Sequence, residues 1–336
     1  MPNYIHVLSI LSACLILGCK EPVSHIITVT GPVAVADMGI TLPHEHIMVD
    51  FIGADSIRPG RYHADSVVAK ALPFLLELKM TGCQTLIDCT PNYLGRDVSI
   101  LKRLSRESGM NIITNTGYYG AAGQKYLPPQ VFTESAEQLA DRWINEYKHG
   151  IDGTSIKPGF IKLGADAGPL TEEQKKIMKA GAITHLQTGL TIAVHSGDGN
   201  AAREALEIFT AEGLAPEAFV WVHAQNEKNF DVYKEMANKG VWVEFDGVST
   251  EDIDRYVSLL KFMKEQNLLH RTLISQDAGW YHVGESGGGK FNPFTTVFTE
   301  FIPALRKEGF TEDEIELLIR KNTAEAFAVR IRKFED

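Results

Sequence analysis

The most constraining feature of this chain is a rhythm. From Gly39 onward, short runs rich in β-branched residues alternate with longer stretches of helical periodicity, the pattern of βα units laid on a parallel sheet. Eight strand candidates stand out: Gly39–His46, Thr85–Cys89, Asn111–Thr116, Phe160–Gly164, Thr191–His195, Phe219–His223, Val241–Phe245 and Thr272–Ser275. The intervening helices have their own signatures. Ser66–Met80 places Val67, Ala71, Leu72, Leu75 and Leu78 on one face. Thr171–Thr188 opens on Thr171-Glu172-Glu173-Gln174, a capping-box pattern. Ala201–Glu212 stops at Gly213 and Val232–Asn238 at Gly240, while Glu251–Gln266 follows Ser249-Thr250. Eight strand–helix units in 336 residues predict an α/β protein of the (β/α)8 barrel (TIM barrel) type. A doubly wound open sheet is the alternative, but no Gly-x-Gly-x-x-Gly follows the first strand to support nucleotide binding.

Ile26–Met38, ahead of the rhythm, holds two short β-like runs around Gly31-Pro32, expected to form an N-terminal β-hairpin. Behind it, Pro293–Phe334 reads as extra C-terminal helices, with starts expected at Thr311 and Asn322. Gly284–Gly289 falls after strand eight and is expected to be a mobile rim loop.

The first residues follow a different logic. Val7–Gly18 is an almost unbroken apolar run, too short to span a bilayer and placed where a signal-peptide core belongs. Gly18 directly before Cys19 resembles the lipobox of bacterial lipoproteins, in which the cysteine is lipidated and becomes the mature N-terminus. The segment Met1–His6 departs from that pattern in lacking Lys and Arg. The reading is a leader over 1–19, a tether over 20–25 and one barrel domain over 26–336, in a protein exported to the bacterial cell envelope and anchored through lipid on Cys19. A plain cleaved signal, leaving a soluble periplasmic protein, is the alternative. With Cys14 removed and Cys19 acylated, only Cys83 and Cys89 remain, which is no disulfide framework. Both read as small buried residues in or beside one strand. A net charge of -10 argues against nucleic acid as a partner, since a phosphate backbone needs a basic surface.

Laid on the strands, the polar residues fall at strand ends. His44 and His46 sit two apart in the first strand, so period-2 alternation points both imidazoles to one face. Lys162 interrupts the apolar fourth strand, His195 ends the fifth, His223 ends the sixth and Asp277 follows the eighth. In a (β/α)8 barrel these positions converge at the mouth. Four imidazoles and a carboxylate suit two divalent ions. Two dications held so close repel, and an anion must bridge them. An ammonium cannot do this, but a lysine that has reacted with CO2 is an anionic, bidentate carbamate. Lys162, costly to keep charged among apolar neighbours, is expected to have a lowered pKa and so to be reactive toward CO2.

The pattern Gly39-x-Thr41-Leu42-Pro43-His44-Glu45-His46, then a strand lysine, two strand-end histidines and a late aspartate, resembles the phosphotriesterase family of the amidohydrolase superfamily, which includes phosphotriesterase-like lactonases and phosphotriesterase homology proteins. The similarity runs from about Thr30 to Phe327 and includes Phe301–Arg306 and Asn322-Thr323-Ala324. The resemblance implies that His44, His46 and Asp277 bind a more buried metal and that His195 and His223 bind a more exposed one. Lys162, as N6-carboxylysine, would bridge both together with a hydroxide. Zinc is the expected ion, with Mn2+, Co2+ or Fe as alternatives. The bridging hydroxide would attack, the exposed ion would polarise the substrate, and Asp277 would orient the hydroxide and take its proton. The resemblance also allows a homodimer.

For the substrate, the resemblance implies an ester-type small molecule. Tyr119 stands where lactonase-like members carry a tyrosine, and the aromatic run Trp280-Tyr281-His282 is expected to line the pocket. Two departures count against fast phosphotriester turnover: Asn226 and Gly247 stand where phosphotriesterases carry an acid and a histidine that resemble a proton relay. Lactonase-like members tend to carry an arginine near Gly247, and that is absent too. A lactone or carboxylic ester is therefore the expected substrate. The alternatives are a phosphotriester or phosphoester hydrolase of the same fold and a catalytically inactive envelope lipoprotein. A purely structural metal site would need closed coordination and no open pocket.

Overall fold

The hairpin comes first in the computed structural model, which describes residues 24–334; the leader, Cys14, Cys19 and nearly all of the tether lie outside the described residues. Strands β1 (His25–Thr28) and β2 (Gly31–Ala34) pair antiparallel. The remaining strands are all parallel. They are β3 (Thr41–Val49), β4 (Thr85–Asp88), β5 (Asn111–Ile113), β6 (Asn115–Thr116), β7 (Phe160–Ala165), β8 (Ile192–Ser196), β9 (Phe219–Val222), β10 (Trp242–Phe245), β11 (Thr272–Ile274) and β12 (Gly279–His282). One run of neighbours is β6-β7-β8-β9-β10-β11, and the other is β5-β4-β3-β12. β5 and β6 are halves of one strand interrupted at Thr114, and β11 and β12 are halves of another interrupted at 275–278. Joined through these two split strands, the runs make a closed eight-stranded barrel of the expected α/β class. Closure is visible in register, where β12 sets Gly279 opposite His46 while β11 sets Thr272 opposite Val243.

The second half of strand eight was not expected, since the apolar run ends at Ser275. Its cause is Glu45, which faces away from its histidine neighbours. Its buried carboxylate accepts from Ser275 Oγ at 2.8 Å, Gln276 N at 3.2 Å and Ala278 N at 2.7 Å. Those bonds stand in for ladder bonds at the break and let the chain resume as β12 beside β3.

The helices follow their sequence signatures closely. Ala64–Met80 buries Val67, Val68, Ala71, Leu75 and Leu78. Glu172–Thr188 starts at a formed capping box, Thr171 Oγ1 accepting from Gln174 N at 3.2 Å and Gln174 Oε1 accepting from Thr171 N at 3.0 Å. Thr311 and Glu314 form another. Asn322, by contrast, is not a helix start. A wide π turn over Leu317–Lys321 carries the helix through it, and its buried amide donates to the carbonyls of Leu269 and Thr272, both at 2.7 Å. Cys83 and Cys89 are buried and unpaired.

The barrel interior is solid below the mouth. Ile87, Ile113, Phe160, Val220, Trp242 and Leu273 pack there with Ile26 and Met38 from the hairpin segment and Phe327 from the last helix. The hairpin and the last helix thus plug the end opposite the strands' C-termini, leaving the mouth as the open end. Phe160, fully buried at the start of β7, touches this plug directly. Phe160→Ala should cost about 3–5 kcal/mol, read as a lower denaturant midpoint; an unchanged midpoint would contradict the plugged interior.

Candidate metal centre

The six expected ligand residues converge at the mouth. His44 and His46 lie on one face of β3, as alternation requires, with ring centroids 5.3 Å apart. The His44 ring is 4.9 Å from His223, and His223 is 4.4 Å from His195 at the end of β8. Asp277 lies in the break between β11 and β12, its Oδ1 3.1 Å from His46 Nε2 and 3.8 Å from His44 Nε2. His223 and Asp277 have positive φ, 60° and 49°, so both side chains are held by backbone that L-residues seldom adopt. Lys162 reaches into the same space from β7, and its Nζ is buried with no hydrogen-bond partner.

What the sequence reading missed is the layer behind these residues. Asp246, just past β10, is fully buried and holds two of the histidines at once. Its Oδ2 accepts from His44 Nδ1 at 2.9 Å and from the His223 backbone N–H at 2.9 Å. Its Oδ1 accepts from His223 Nδ1 and Gln225 Nε2, both at 2.6 Å. A carboxylate can only accept here, so both imidazoles carry a proton on Nδ1 and Nε2 is the nitrogen that can meet an ion, in His44 once its second proton has left. Thr90 Oγ1 lies 2.8 Å from His46 Nδ1, engaging that nitrogen and turning Nε2 toward Asp277. Asp246 can itself be grouped with His44 and His223 as a metal cluster, but the Nδ1 contacts make it a buttress, and the set with open donor atoms is His44, His46 and Asp277. The signal was present in Trp242-Val243-Glu244-Phe245-Asp246, whose alternation turns Glu244 and Asp246 into the barrel.

Burial and charge act on these groups in opposite directions. Burial and the nearby Lys162 pull the His44 imidazolium down, but the carboxylates of Asp246 and Asp277 outweigh them and raise it to about 10. Burial lowers His46 to about 4 and takes His195 well below its ordinary value. Burial disfavours ionised Asp277, yet His44 and His46 hold it well below the usual carboxylate range. The result is a neutral donor at His46 beside an ionised carboxylate whose Oδ1 makes no hydrogen bond. That is the state in which ligands bind a cation. The residues therefore fit a metal centre: open imidazole nitrogens, an unpartnered carboxylate oxygen, and an unpartnered buried amine between them.

A cavity of about 180 Å³ lies over the six residues. Its walls include Phe51, Leu94, Tyr119, Tyr126 and Trp280. The Trp280 ring lies 4.3 Å from His46 and 5.8 Å from Phe51, and the Tyr119 hydroxyl is 3.1 Å from His195 Nδ1. Tyr281 does not join them. It belongs to β12, where alternation sends Trp280 and Tyr281 to opposite faces, and it packs on Gly288, where a Cβ would sit 2.3 Å from its ring. Neither relay position is filled. Asn226 is exposed, and at Gly247 a Cβ would lie 2.4 Å from the Tyr256 hydroxyl and 3.2 Å from Gln225 Nε2.

A parallel eight-stranded barrel with a histidine–carboxylate cluster at the C-terminal strand ends defines the class, a (β/α)8 barrel built like a metallohydrolase. The model of the phosphotriesterase family matches residues 24–327, and the chain belongs to that family. It is 29% identical over 294 residues to the phosphotriesterase homology protein of Escherichia coli, covering 86% of this chain and 98% of that one. It is 28% identical over 304 residues to the aryldialkylphosphatase of Saccharolobus solfataricus, covering 87% and 96%. Among solved structures, the organophosphorus hydrolase from Deinococcus radiodurans superposes with a TM-score of 0.82 at 25% identity, covering 92% of this chain and 98% of that one.

Asp246→Asn would keep the shape but lose an acceptor that fixes two histidines. It should weaken metal retention by about 10–100-fold, measured as metal transfer to a chelator. Retention equal to the parent chain would show that Asp246 does not orient the ligands.

Proposed function

We propose that this chain is a metal-dependent hydrolase of neutral ester-type substrates, a lactone or carboxylic ester rather than a phosphotriester. His44, His46, Lys162, His195, His223 and Asp277 would hold two divalent ions, zinc by preference, with Lys162 as a carbamate. The observation that carries this reading is the Lys162 nitrogen, buried among four imidazoles with nothing to accept its protons. Bound there, two such ions would supply a water acidic enough to attack near neutral pH and a Lewis acid for the substrate oxygen.

The chain's own groups do the rest. Asp277, 24% exposed against 1% for His44, faces the mouth together with the partly exposed His195 and His223. Its carboxylate stays ionised at neutral pH, so it can orient the attacking water and accept its proton. Trp280, Phe51 and Tyr119 exclude water and offer flat apolar walls to the substrate. Apart from Lys162, the walls carry no lysine or arginine, which favours a substrate without an anionic group. The missing relay at Asn226 and Gly247 favours carbonyl substrates over phosphotriesters, in keeping with Tyr119.

The test is a rate comparison on the zinc- and bicarbonate-loaded chain over lactones, simple esters and one phosphotriester. Faster turnover of lactones or esters is expected; preference for the phosphotriester would overturn the substrate assignment. Lys162→Ala should lower metal content and abolish hydrolysis, and metal content and rate equal to the parent chain would defeat the carbamate.

A further inference from the structure

A second, larger groove opens at the opposite end of the barrel. It has a volume of about 340 Å³ and is lined by His25, Val29, Lys102, Tyr147, Ile156 and Lys157, among others. Its position is fixed by its walls. The hairpin forms one side and hangs on the barrel through Val29 N–H to the Ile112 carbonyl at 2.9 Å. Ser155–Lys157 leads directly into the start of β7. The groove therefore lies at the plugged end, away from the mouth.

Its chemistry is unusual for a chain of net charge -10. No Asp or Glu lines it. Of the acids close in sequence to its lining residues, Glu146 pairs with Arg96, which also faces Asp152, and Glu107 pairs with Arg103. Lys157 sits 5.8 Å over the Tyr147 ring. Two lysines thus flank an apolar floor of Ile27, Val29, Pro32 and Ile156. Cations over apolar surface suit an anionic amphiphile.

The chain says which one. His25, on the rim of the groove, is six residues after Cys19, the residue expected to carry lipid. Six residues of chain reach at most about 20 Å. We propose that this groove seats anionic lipid headgroups of the leaflet that anchors Cys19, so that the barrel stands plugged end down with its mouth facing away from the membrane. This rests on the expectation of lipidation at Cys19 and is independent of the substrate reading.

The test reconstitutes the full, processed chain on vesicles of phosphatidylcholine alone and of phosphatidylcholine with phosphatidylglycerol, then labels lysines with an amine-reactive reagent read by mass spectrometry. Lys102 and Lys157 should be labelled about fivefold less on the anionic vesicles, with salt restoring the labelling. Lys228 and Lys290, exposed on loops at the mouth end, should be labelled equally on both. In Lys102→Glu, a change remote from the metal centre, protection of Lys157 should fall. Three results would overturn the proposal. An acylated chain labelled equally on both vesicles removes the groove as the seat. Protection of Lys228 and Lys290 instead reverses the orientation. A chain without acyl mass on Cys19 that stays off both vesicles removes the anchor.

Discussion

An amine buried in a barrel without an acceptor is the constraint around which the rest of this structure is arranged. Lys162 enters the interior from an otherwise apolar strand, and its nitrogen finds no partner there. Leaving such a group unpaired costs on the order of 1–3 kcal/mol, and more when it is charged. A fold retains a cost of that size where the group is used. Around it stand four imidazoles and a carboxylate, carried in or just past the parallel strands, and behind them Asp246 and Thr90 engage the Nδ1 atoms of His44, His223 and His46. Conversion of the amine to a carbamate, with one proton released, would leave a single N–H on the nitrogen and supply the anion that two neighbouring dications need.

Part of the backbone strain of the chain falls at the same place. His223, Asp277 and Trp280 all adopt positive φ, at 60°, 49° and 76°. Each is pinned by bonds that a relaxed loop would lack. His223 is held by Asp246 through both backbone and ring, and Trp280 donates from its indole to the Asp277 carbonyl at 2.6 Å. Glu45 supports the break that contains Asp277 from the other side of β3. The mouth is over-determined while the plugged end is ordinary apolar packing. Stability and chemistry therefore occupy opposite ends of one barrel, as this architecture favours.

Most of the fold was legible in the sequence because βα rhythm is local information. Strand positions, the capping boxes at Thr171 and Thr311 and the shared face of His44 and His46 all follow from spacings of a few residues. The six converging residues were legible for the same reason, since each lies in or just after a readable strand. What escaped depends on contacts far apart in the chain. Asp246 meets His44 across 202 residues, and Glu45 meets Ser275 across 230. Gln225 could not be seen as a partner of Asp246 until β9 and β10 lay side by side. Trp280 and Tyr281 look in sequence like one aromatic rim, but in a strand alternation parts them. Asn322 looks like a helix start because asparagine often caps, yet its amide is used on the carbonyls of Leu269 and Thr272 and the helix runs through it.

The central claim is that Lys162 becomes the anionic bridge of a two-metal centre. The most direct measurement is carbon-13 NMR of the metal-free chain reloaded with zinc in labelled bicarbonate, with metal counted in the same sample. One carbamate signal appearing with two zinc ions per chain, and lost together with the metal on chelation, is the predicted result. Two zinc ions bound without any carbamate signal would contradict it.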